Sequence, residues 1–234
     1  MSRQTNKKCA YCGEMRKSTI DHVIPRCLFI KPYPQNMITV PACDECNGKK
    51  SRNDDFIRDM LTTDVYGGTH PLAKQISMTK VARSAVRRSS DVAKTMFKQG
   101  RKTPFYSHGG ILLGQVYSAP LNVKRINQAF FTVVRGLYYF KFKQCLPDNY
   151  DVKVLRYHPQ DFRQVVKQFQ EQLSPNPLPL LGEVFSGTFV IAEEDPFTSV
   201  WLLCFYNRIG ISITVSNPEL NLRGNENPSS EFGR

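Results

Sequence analysis

The sequence predicts an α+β fold, and three observations support this prediction. Four cysteines form two Cys-x-x-Cys pairs near the N-terminus, hydrophobic residues then recur at helical spacing, and short β-rich segments separated by turn residues follow. We expect a small cysteine-stabilised module at residues 1–60, a basic helical and linker region at 61–120, and an α+β region of unknown role at 121–234. The hydrophobic content of 41% is enough for a packed core, which excludes wholesale disorder.

The two cysteine pairs indicate a metal site. Cys9 and Cys12 form the first pair, Cys43 and Cys46 form the second, and thirty residues separate them. Four thiolates at this spacing suit one tetrahedral Zn²⁺, whose binding contributes folding free energy to a segment too small to form its own core. Four sulfurs close the coordination shell, so we expect a structural zinc. The alternative is that one pair is accidental, or that these cysteines are ordinary free thiols.

The N-terminus is polar and basic, no apolar stretch follows it, and the chain has seven cysteines. Without a secretory signal we expect a reducing, cytoplasmic location, in which paired cysteines bind metal rather than form disulfides. No apolar run approaches the length of about 18 residues that a membrane span needs, so we expect no membrane partner.

A polar motif lies between and just after the cysteine pairs. It consists of an Asp-His-x-x-Pro sequence, an asparagine in the following loop and an asparagine directly after the last cysteine. The motif residues are Asp21, His22, Pro25, Asn36 and Asn47. In their order and spacing, residues 9–58 resemble an HNH endonuclease of the ββα-metal (His-Me finger) class, in which the final motif residue is His or Asn. The resemblance implies an N-terminal ββα-metal nuclease module, in which Asn36 braces the loop between strand and helix.

The chemistry of these side chains suits phosphodiester hydrolysis. His22, whose ordinary pKa is about 6.5, can accept a proton from water at neutral pH. Asp21 alternates with it along a strand and points to the other side, where it can hold a divalent ion. Asn47, in the first turn of the helix after the last cysteine, can supply a second oxygen ligand. Few oxygen ligands suit Mg²⁺ or Mn²⁺, which would act as a Lewis acid on the phosphate.

Positive charge is concentrated in the first 102 residues. The formal net charge is +12, of which residues 1–53 hold +6, residues 54–73 hold −3, residues 74–102 hold +8 and residues 103–234 hold +1. This excess favours a polyanionic partner, and we expect DNA. The alternative is that these charges are only solvated. The candidate nucleic-acid contacts are Arg26, Lys49, Lys50, Lys80, Arg83, Arg87, Lys94 and Lys98.

One amphipathic helix is predicted at 80–98. At about 100° per residue, five of these basic side chains fall on one face and the apolar side chains fall on the opposite half. The apolar residues are Val81, Ala82, Ala85, Val86, Val92, Ala93, Met96 and Phe97. The basic face of this helix is expected to contact backbone phosphates of a nucleic acid. The alternative is that the basic face is only solvated while the apolar face packs on the core.

The remaining elements follow from periodicity and turn residues. A short helix is predicted at 54–61, a strand around 111–117 and a helix from Leu121 that Asn122 can cap. The later predicted elements are a strand at 152–157, a helix at 160–173, and strands at 184–192, 199–206 and 209–215. We expect the last three strands to form an antiparallel meander.

The function predicted from these residues is that of a metal-dependent endonuclease that hydrolyses DNA phosphodiester bonds. The resemblance suggests phage defence, restriction or a mobile element as its setting. Two alternatives stay open: a non-catalytic zinc-stabilised module that binds nucleic acid, and a ribonuclease that uses the same metal chemistry. Region 121–234 has a near-balanced charge and is expected to serve as a sensor, as a surface for homo-oligomer formation or as the binding site of a protein partner.

Overall fold

The computed structural model of the chain describes residues 5–87, 90–107 and 109–219. These residues form an α+β fold with antiparallel sheets, as the sequence predicts. None of the described helices is long and apolar enough to cross a membrane. The strands are β1 (Thr5–Lys8), β2 (Met15–His22), β3 (Thr39–Cys43), β4 (Arg101–Tyr106), β5 (Leu112–Ser118), β6 (Asp151–Tyr157), β7 (Asn176–Pro177), β8 (Phe185–Ile191), β9 (Ser199–Phe205) and β10 (Ile209–Ser216). The helices are α1 (Asp44–Thr63), α2 (Pro71–Ile76), α3 (Ala82–Val86), α4 (Asp91–Gln99), α5 (Val123–Phe142) and α6 (Pro159–Leu173).

The N-terminal sheet has the strand order β1-β2-β3. Strands β2 and β3 are antiparallel, with Asp21 opposite Val40 and His22 opposite Thr39. A loop at residues 23–38 connects them, and α1 follows β3 without an intervening residue. The unit is therefore a strand, a loop, a strand and a helix in sequence order.

Helix α1 is longer than predicted. It begins at Asp44 and continues to Thr63, so the helix predicted after the last cysteine and the short helix predicted at 54–61 are one continuous helix. Cys43 has an extended backbone before the helix, and Asp44 and Glu45 lie in the first turn, where acidic side chains interact favourably with the helix dipole. Residues 51–55 therefore lie inside the helix.

The C-terminal sheet has the strand order β6-β10-β9-β8-β7, and β8, β9 and β10 form the predicted meander. Alternate residues of β9 face opposite sides of the sheet. Trp201 and Leu203 are buried in the main core, whereas Leu202 packs against Phe162 and Phe169 of α6. The helix predicted at 160–173 is confirmed as α6, and the sheet is covered on both faces.

One hydrophobic core is shared by the N-terminal module and the C-terminal region. Val133 and Leu137 of α5 are buried in the same cluster as Val23 and Leu28, which follow β2. Helix α5 approaches the module closely at Gly136, where an added Cβ would lie 2.8 Å from Cγ1 of Val23. The boundaries predicted at 60 and 120 stay predictions, and residues 220–234 of the third predicted region lie outside the described residues.

The single helix predicted at 80–98 is wrong. A π-helical turn leads into α3, and α4 begins separately after Ser90. The Ser90 hydroxyl accepts a hydrogen bond from the backbone amide of Ala93 at 3.1 Å, so a local capping signal prevails over the hydrophobic periodicity. The predicted inward face also fails at Val86 and Phe97, which are 84% and 86% exposed.

Strands β4 and β5 form a two-stranded sheet of their own between α4 and α5. The strand predicted around 111–117 corresponds to β5, whereas its partner β4 contains Pro104 and gave no strand signal. The helix predicted after Leu121 is confirmed as α5, and the side chain of Asn122 caps it by accepting a hydrogen bond from the backbone amide of Arg125 at 3.0 Å.

Candidate metal centre and active site

The four cysteines of the two pairs meet beside the N-terminal sheet. Cys9 and Cys12 lie in the turn between β1 and β2, Cys43 ends β3, and Cys46 lies in the first turn of α1. All four Sγ atoms lie within 4.8 Å of one another, and those of Cys12 and Cys43 are 3.9 Å apart. Tetrahedral Zn²⁺ with Zn–S bonds of about 2.3 Å places its sulfurs about 3.8 Å apart, so the geometry fits one structural zinc ion.

The electrostatics of this cysteine cluster favour a bound cation. Burial raises the pKa of the Cys12 and Cys46 thiols, and the thiol of Cys9 raises both further, although a hydrogen bond with Cys46 opposes this at Cys12. Burial also acts to raise the pKa of Cys9, but hydrogen bonds from nearby backbone amides outweigh it and lower the pKa to about 7. Four thiolates in so small a volume repel one another, and a divalent cation removes that repulsion.

Asp21 is buried at the end of β2, where it is only 7% exposed. The Tyr11 hydroxyl donates a hydrogen bond to Oδ2 of Asp21 at 2.6 Å. The ammonium of Lys50 lies 3.5 Å from the same oxygen. A short charge-assisted hydrogen bond and an ion pair on one oxygen together fix the orientation of the carboxylate.

Lys50 is buried, which corrects the prediction that it contacts nucleic acid. Its side chain is 1% exposed. Its ammonium donates to the carbonyl oxygen of His22 and to both carboxylate oxygens of Asp54, each at 2.8 Å. The long side chain therefore reaches from α1 into the protein rather than into solvent. One ammonium connects Asp21, Asp54 and the end of β2.

His22 is half-buried beside this network. Burial lowers the pKa of its imidazole, and the positive charges of Arg26 and Lys50 act in the same direction, whereas Asp21 opposes them. The imidazole is therefore neutral at pH 7 and able to accept a proton. Asp21 and His22 are adjacent on β2, so their side chains leave opposite sides of the strand.

Asn47 lies in the first turn of α1, and its Nδ2 donates to Oγ1 of Thr19 at 3.3 Å. Thr19 and Asp21 are two residues apart on β2 and share one face of the sheet. The structure thus brings Asn47 to the same face as Asp21. This bond uses the amide nitrogen of Asn47 and leaves its oxygen as a candidate ligand.

The donor types on this face fit a hard divalent cation. Asp21 offers a carboxylate and Asn47 an amide oxygen, which are ligand types that Mg²⁺ and Mn²⁺ accept. Lys50 places a positive charge 3.5 Å from that carboxylate, and this charge repels a second cation. We therefore expect an ion here to depend on further anionic ligands from a substrate phosphate.

Asn36 is exposed and contacts the C-terminal region. Its Nδ2 donates to the carbonyl oxygen of Leu180 at 2.9 Å. This bond connects the loop at 23–38 to the segment before β8, and the predicted role of Asn36 in bracing the loop between strand and helix stays a prediction.

The other predicted nucleic-acid contacts differ in their exposure. The prediction that Lys80 contacts nucleic acid is corrected. Its ammonium donates to the carbonyl oxygens of Cys27 at 3.2 Å and Phe29 at 3.1 Å and so supports the loop after β2. The break between α3 and α4 also means that the basic residues form no single helical face. The exposed members of the predicted set are Arg26, Lys49, Arg83, Arg87, Lys94 and Lys98.

Sequence reasoning missed Tyr11 and Asp54 as members of this site. A single aromatic residue inside a Cys-x-x-Cys pair has no periodic signal that assigns it a partner. Lys50 and Asp54 do have the i,i+4 spacing of a helical ion pair, and prediction of one continuous helix, instead of a helix after the last cysteine and a separate short helix at 54–61, would have indicated their contact.

Comparison of the chain with protein-family models, with curated proteins and with solved structures gives no match. The class of this protein is therefore defined by its fold and by its candidate site alone. It is an α+β protein with a four-cysteine cluster placed to bind one metal ion, and beside that cluster lies a network of the buried side chains of Asp21 and Lys50 with the half-buried Asp54.

Proposed function

We propose that the protein is a metal-dependent endonuclease of the HNH type that hydrolyses DNA phosphodiester bonds. The observation that carries this proposal is the arrangement of Asp21, His22 and Asn47 on one strand, loop, strand and helix unit beside the cysteine cluster. A purely structural zinc module does not need these three side chains. They are also the residues through which positions 9–58 resemble the HNH family.

The proposed roles follow from the environment of each side chain. His22 accepts the proton of the attacking water, since its lowered pKa keeps it in the basic form at neutral pH. Lys50 holds the carbonyl oxygen of His22 and thereby fixes the strand end. Asp21 and Asn47 hold a Mg²⁺ or Mn²⁺ ion, which when bound supplies Lewis-acid chemistry at the phosphate.

The exposed cations near this site supply the contacts to the DNA backbone. Arg26 is exposed and lies near enough to His22 for its charge to lower the imidazole pKa, so it is placed to contact a phosphate beside the scissile bond. Lys49 pairs with Glu45 at 2.7 Å on the outer face of α1 and is a weaker candidate. By analogy with the family, we propose a cytoplasmic role in phage defence, restriction or a mobile element.

A non-catalytic nucleic-acid-binding module is the second candidate function. The ion pair between Lys50 and Asp21 favours it, because the charge of Asp21 is already compensated by a side chain of the protein. A ribonuclease is a variant of the first proposal, since the same metal chemistry hydrolyses RNA.

Plasmid nicking in the presence of Mg²⁺ or Mn²⁺ tests the proposal. Wild type should nick DNA, and His22→Ala should lower the rate by about 100-fold or more because the general base is lost. His158→Ala is the matched control, since His158 precedes α6 and caps that helix, and it should retain cleavage. Equal cleavage by wild type and His22→Ala would overturn the mechanism.

A panel of substrates separates the alternatives. Cleavage of RNA but not of DNA would replace the proposed substrate. Absence of cleavage with any divalent ion, together with salt-dependent binding of duplex DNA, would favour the non-catalytic module.

A further inference from the structure

Tyr11 connects the cysteine cluster to the candidate catalytic carboxylate. It precedes Cys12 in the first cysteine pair, and its ring is buried. Its hydroxyl donates to Oδ2 of Asp21 at 2.6 Å, the length of a strong bond to a charged acceptor. Any movement of the first cysteine pair therefore moves the donor that orients Asp21.

The position of Tyr11 is held from two sides. The residues that flank it belong to the first cysteine pair, and Arg135 of α5 donates to its backbone carbonyl oxygen. Its hydroxyl lies against α5 at Gly136, where an added Cβ would be 3.1 Å from the hydroxyl oxygen. The phenol therefore has no room to move towards α5 while the cysteine pair keeps its conformation.

Lys50 reaches the same carboxylate oxygen from α1. Its ammonium lies 3.5 Å from Oδ2 of Asp21 and is held in turn by Asp54 and by the carbonyl oxygen of His22. Both the phenol and the ammonium engage Oδ2, so neither contact uses Oδ1. The carboxylate is thus fixed at one oxygen, and its other oxygen serves as the candidate ligand of an ion.

We propose that Tyr11 is a positioning residue that couples Asp21 to the cysteine cluster, so that loss of zinc from the cluster releases the carboxylate and stops cleavage. This inference rests on the proposed function. Cys9, Ala10 and Tyr11 are buried in the main core, and a shared metal ion adds the bonds that join their turn to Cys43 and Cys46, so its loss lets the turn shift relative to the strand that bears Asp21. The cluster's zinc takes no part in the chemistry, and it controls the reaction through one hydrogen bond.

The test compares Tyr11→Phe with Tyr139→Phe. Both variants keep the ring and lose one hydroxyl. Tyr139 is the matched control because its hydroxyl donates to the carbonyl oxygen of Lys8 at 3.4 Å, at the same sheet, rather than to Asp21. Four quantities are measured: zinc content, unfolding temperature, the kcat and KM of DNA cleavage, and the ¹³C chemical shift of the Asp21 side-chain carboxyl at one fixed pH.

Tyr11→Phe should fold and keep about one zinc ion per chain. Its kcat should fall about 10- to 100-fold with KM changed by less than about twofold, since it removes a partner that orients a catalytic group. Its Asp21 carboxyl signal should shift from that of wild type, and chelation of zinc from wild type should shift the same signal. Tyr139→Phe should match wild type in kcat, zinc content and chemical shift.

The spectroscopic measurement separates this proposal from the proposed function. An unshifted Asp21 signal in Tyr11→Phe, or an unshifted signal after zinc removal, would overturn the coupling whether or not the protein cleaves DNA. A kcat of Tyr11→Phe equal to that of an active wild type would also overturn it. If both shifts occur and wild type cleaves no nucleic acid, the nuclease proposal fails and the structural coupling stands.

Discussion

The ammonium of Lys50 lies 2.8 Å from the carbonyl oxygen of His22 and donates a hydrogen bond to it. The same ammonium is 2.8 Å from Asp54 and 3.5 Å from Asp21. The side chain of Lys50 therefore holds both the backbone of His22 and the carboxylate of Asp21. Because this buried charge pairs with acidic partners, its removal leaves the buried carboxylate of Asp21 and the half-buried carboxylate of Asp54 without their shared cation.

Lys50→Met should destabilise the protein strongly. Loss of one partner from a buried ion pair costs about 3–5 kcal/mol, because the remaining charges are left uncompensated. Chemical denaturation monitored by circular dichroism measures the change in the free energy of unfolding. Lys49→Met is the matched control. The ammonium of Lys49 is exposed, so this substitution should leave the free energy of unfolding unchanged. Equal stability of the two variants would contradict the network described here.

Removal of one cysteine ligand should remove the zinc. Elemental analysis of wild type should show about one zinc ion per chain. Cys43→Ser should lose almost all of this zinc. Hydrogen exchange should become faster throughout residues 9–58, because the metal contributes folding free energy to this segment. Cys204→Ser is the control, since Cys204 lies on β9 and packs beside Phe162 and Phe169 of α6, away from the cluster, and this variant should keep the metal. Retention of zinc and of exchange protection in Cys43→Ser would show that the four-cysteine assignment is wrong.

Two glycines offer a matched test of the contact between α5 and the N-terminal module. In Gly136→Ala, the added Cβ would lie 2.8 Å from Cγ1 of Val23, and overpacking of this kind should cost about 1–3 kcal/mol. At Gly48, inside α1, an added Cβ meets nothing within 4 Å, so Gly48→Ala should instead stabilise by about 0.5–1 kcal/mol. Thermal unfolding measures both changes. Stabilisation of both variants would mean that α5 does not pack against Val23 as described.

Most of the C-terminal fold was predictable because periodicity and turn residues agree there. The meander of β8, β9 and β10 and the inward face of α6 at Phe162 and Phe169 follow from local patterns. Helix 80–98 was wrongly predicted because Ser90 starts a new helix inside an otherwise periodic run. Periodicity alone does not reveal a competing cap of this kind.

The metal cluster was predictable from spacing, whereas the partners of Asp21 were not. Two Cys-x-x-Cys pairs predict a shared metal site regardless of the rest of the fold, and the structure brings their four sulfurs together. The contact of Tyr11 with Asp21 spans ten residues, and the contact of Lys50 with His22 spans 28, so each depends on the packing of separate elements. Lysine is also rarely buried, and a sequence-based prediction therefore places it on the surface.

The pKa of the His22 imidazole should lie below the ordinary histidine value of about 6.5. Burial favours the neutral form, and the positive charge of Arg26 favours it further, so the proton-accepting form persists to lower pH. Cleavage should therefore rise with pH through a midpoint below that value, and an NMR titration of the His22 ring should give the same midpoint. Arg26→Gln removes one of the charges and should raise both midpoints, whereas Arg87→Gln, at an exposed position at the end of α3, should leave them unchanged. A wild-type midpoint at or above the ordinary value would contradict the environment assigned to His22.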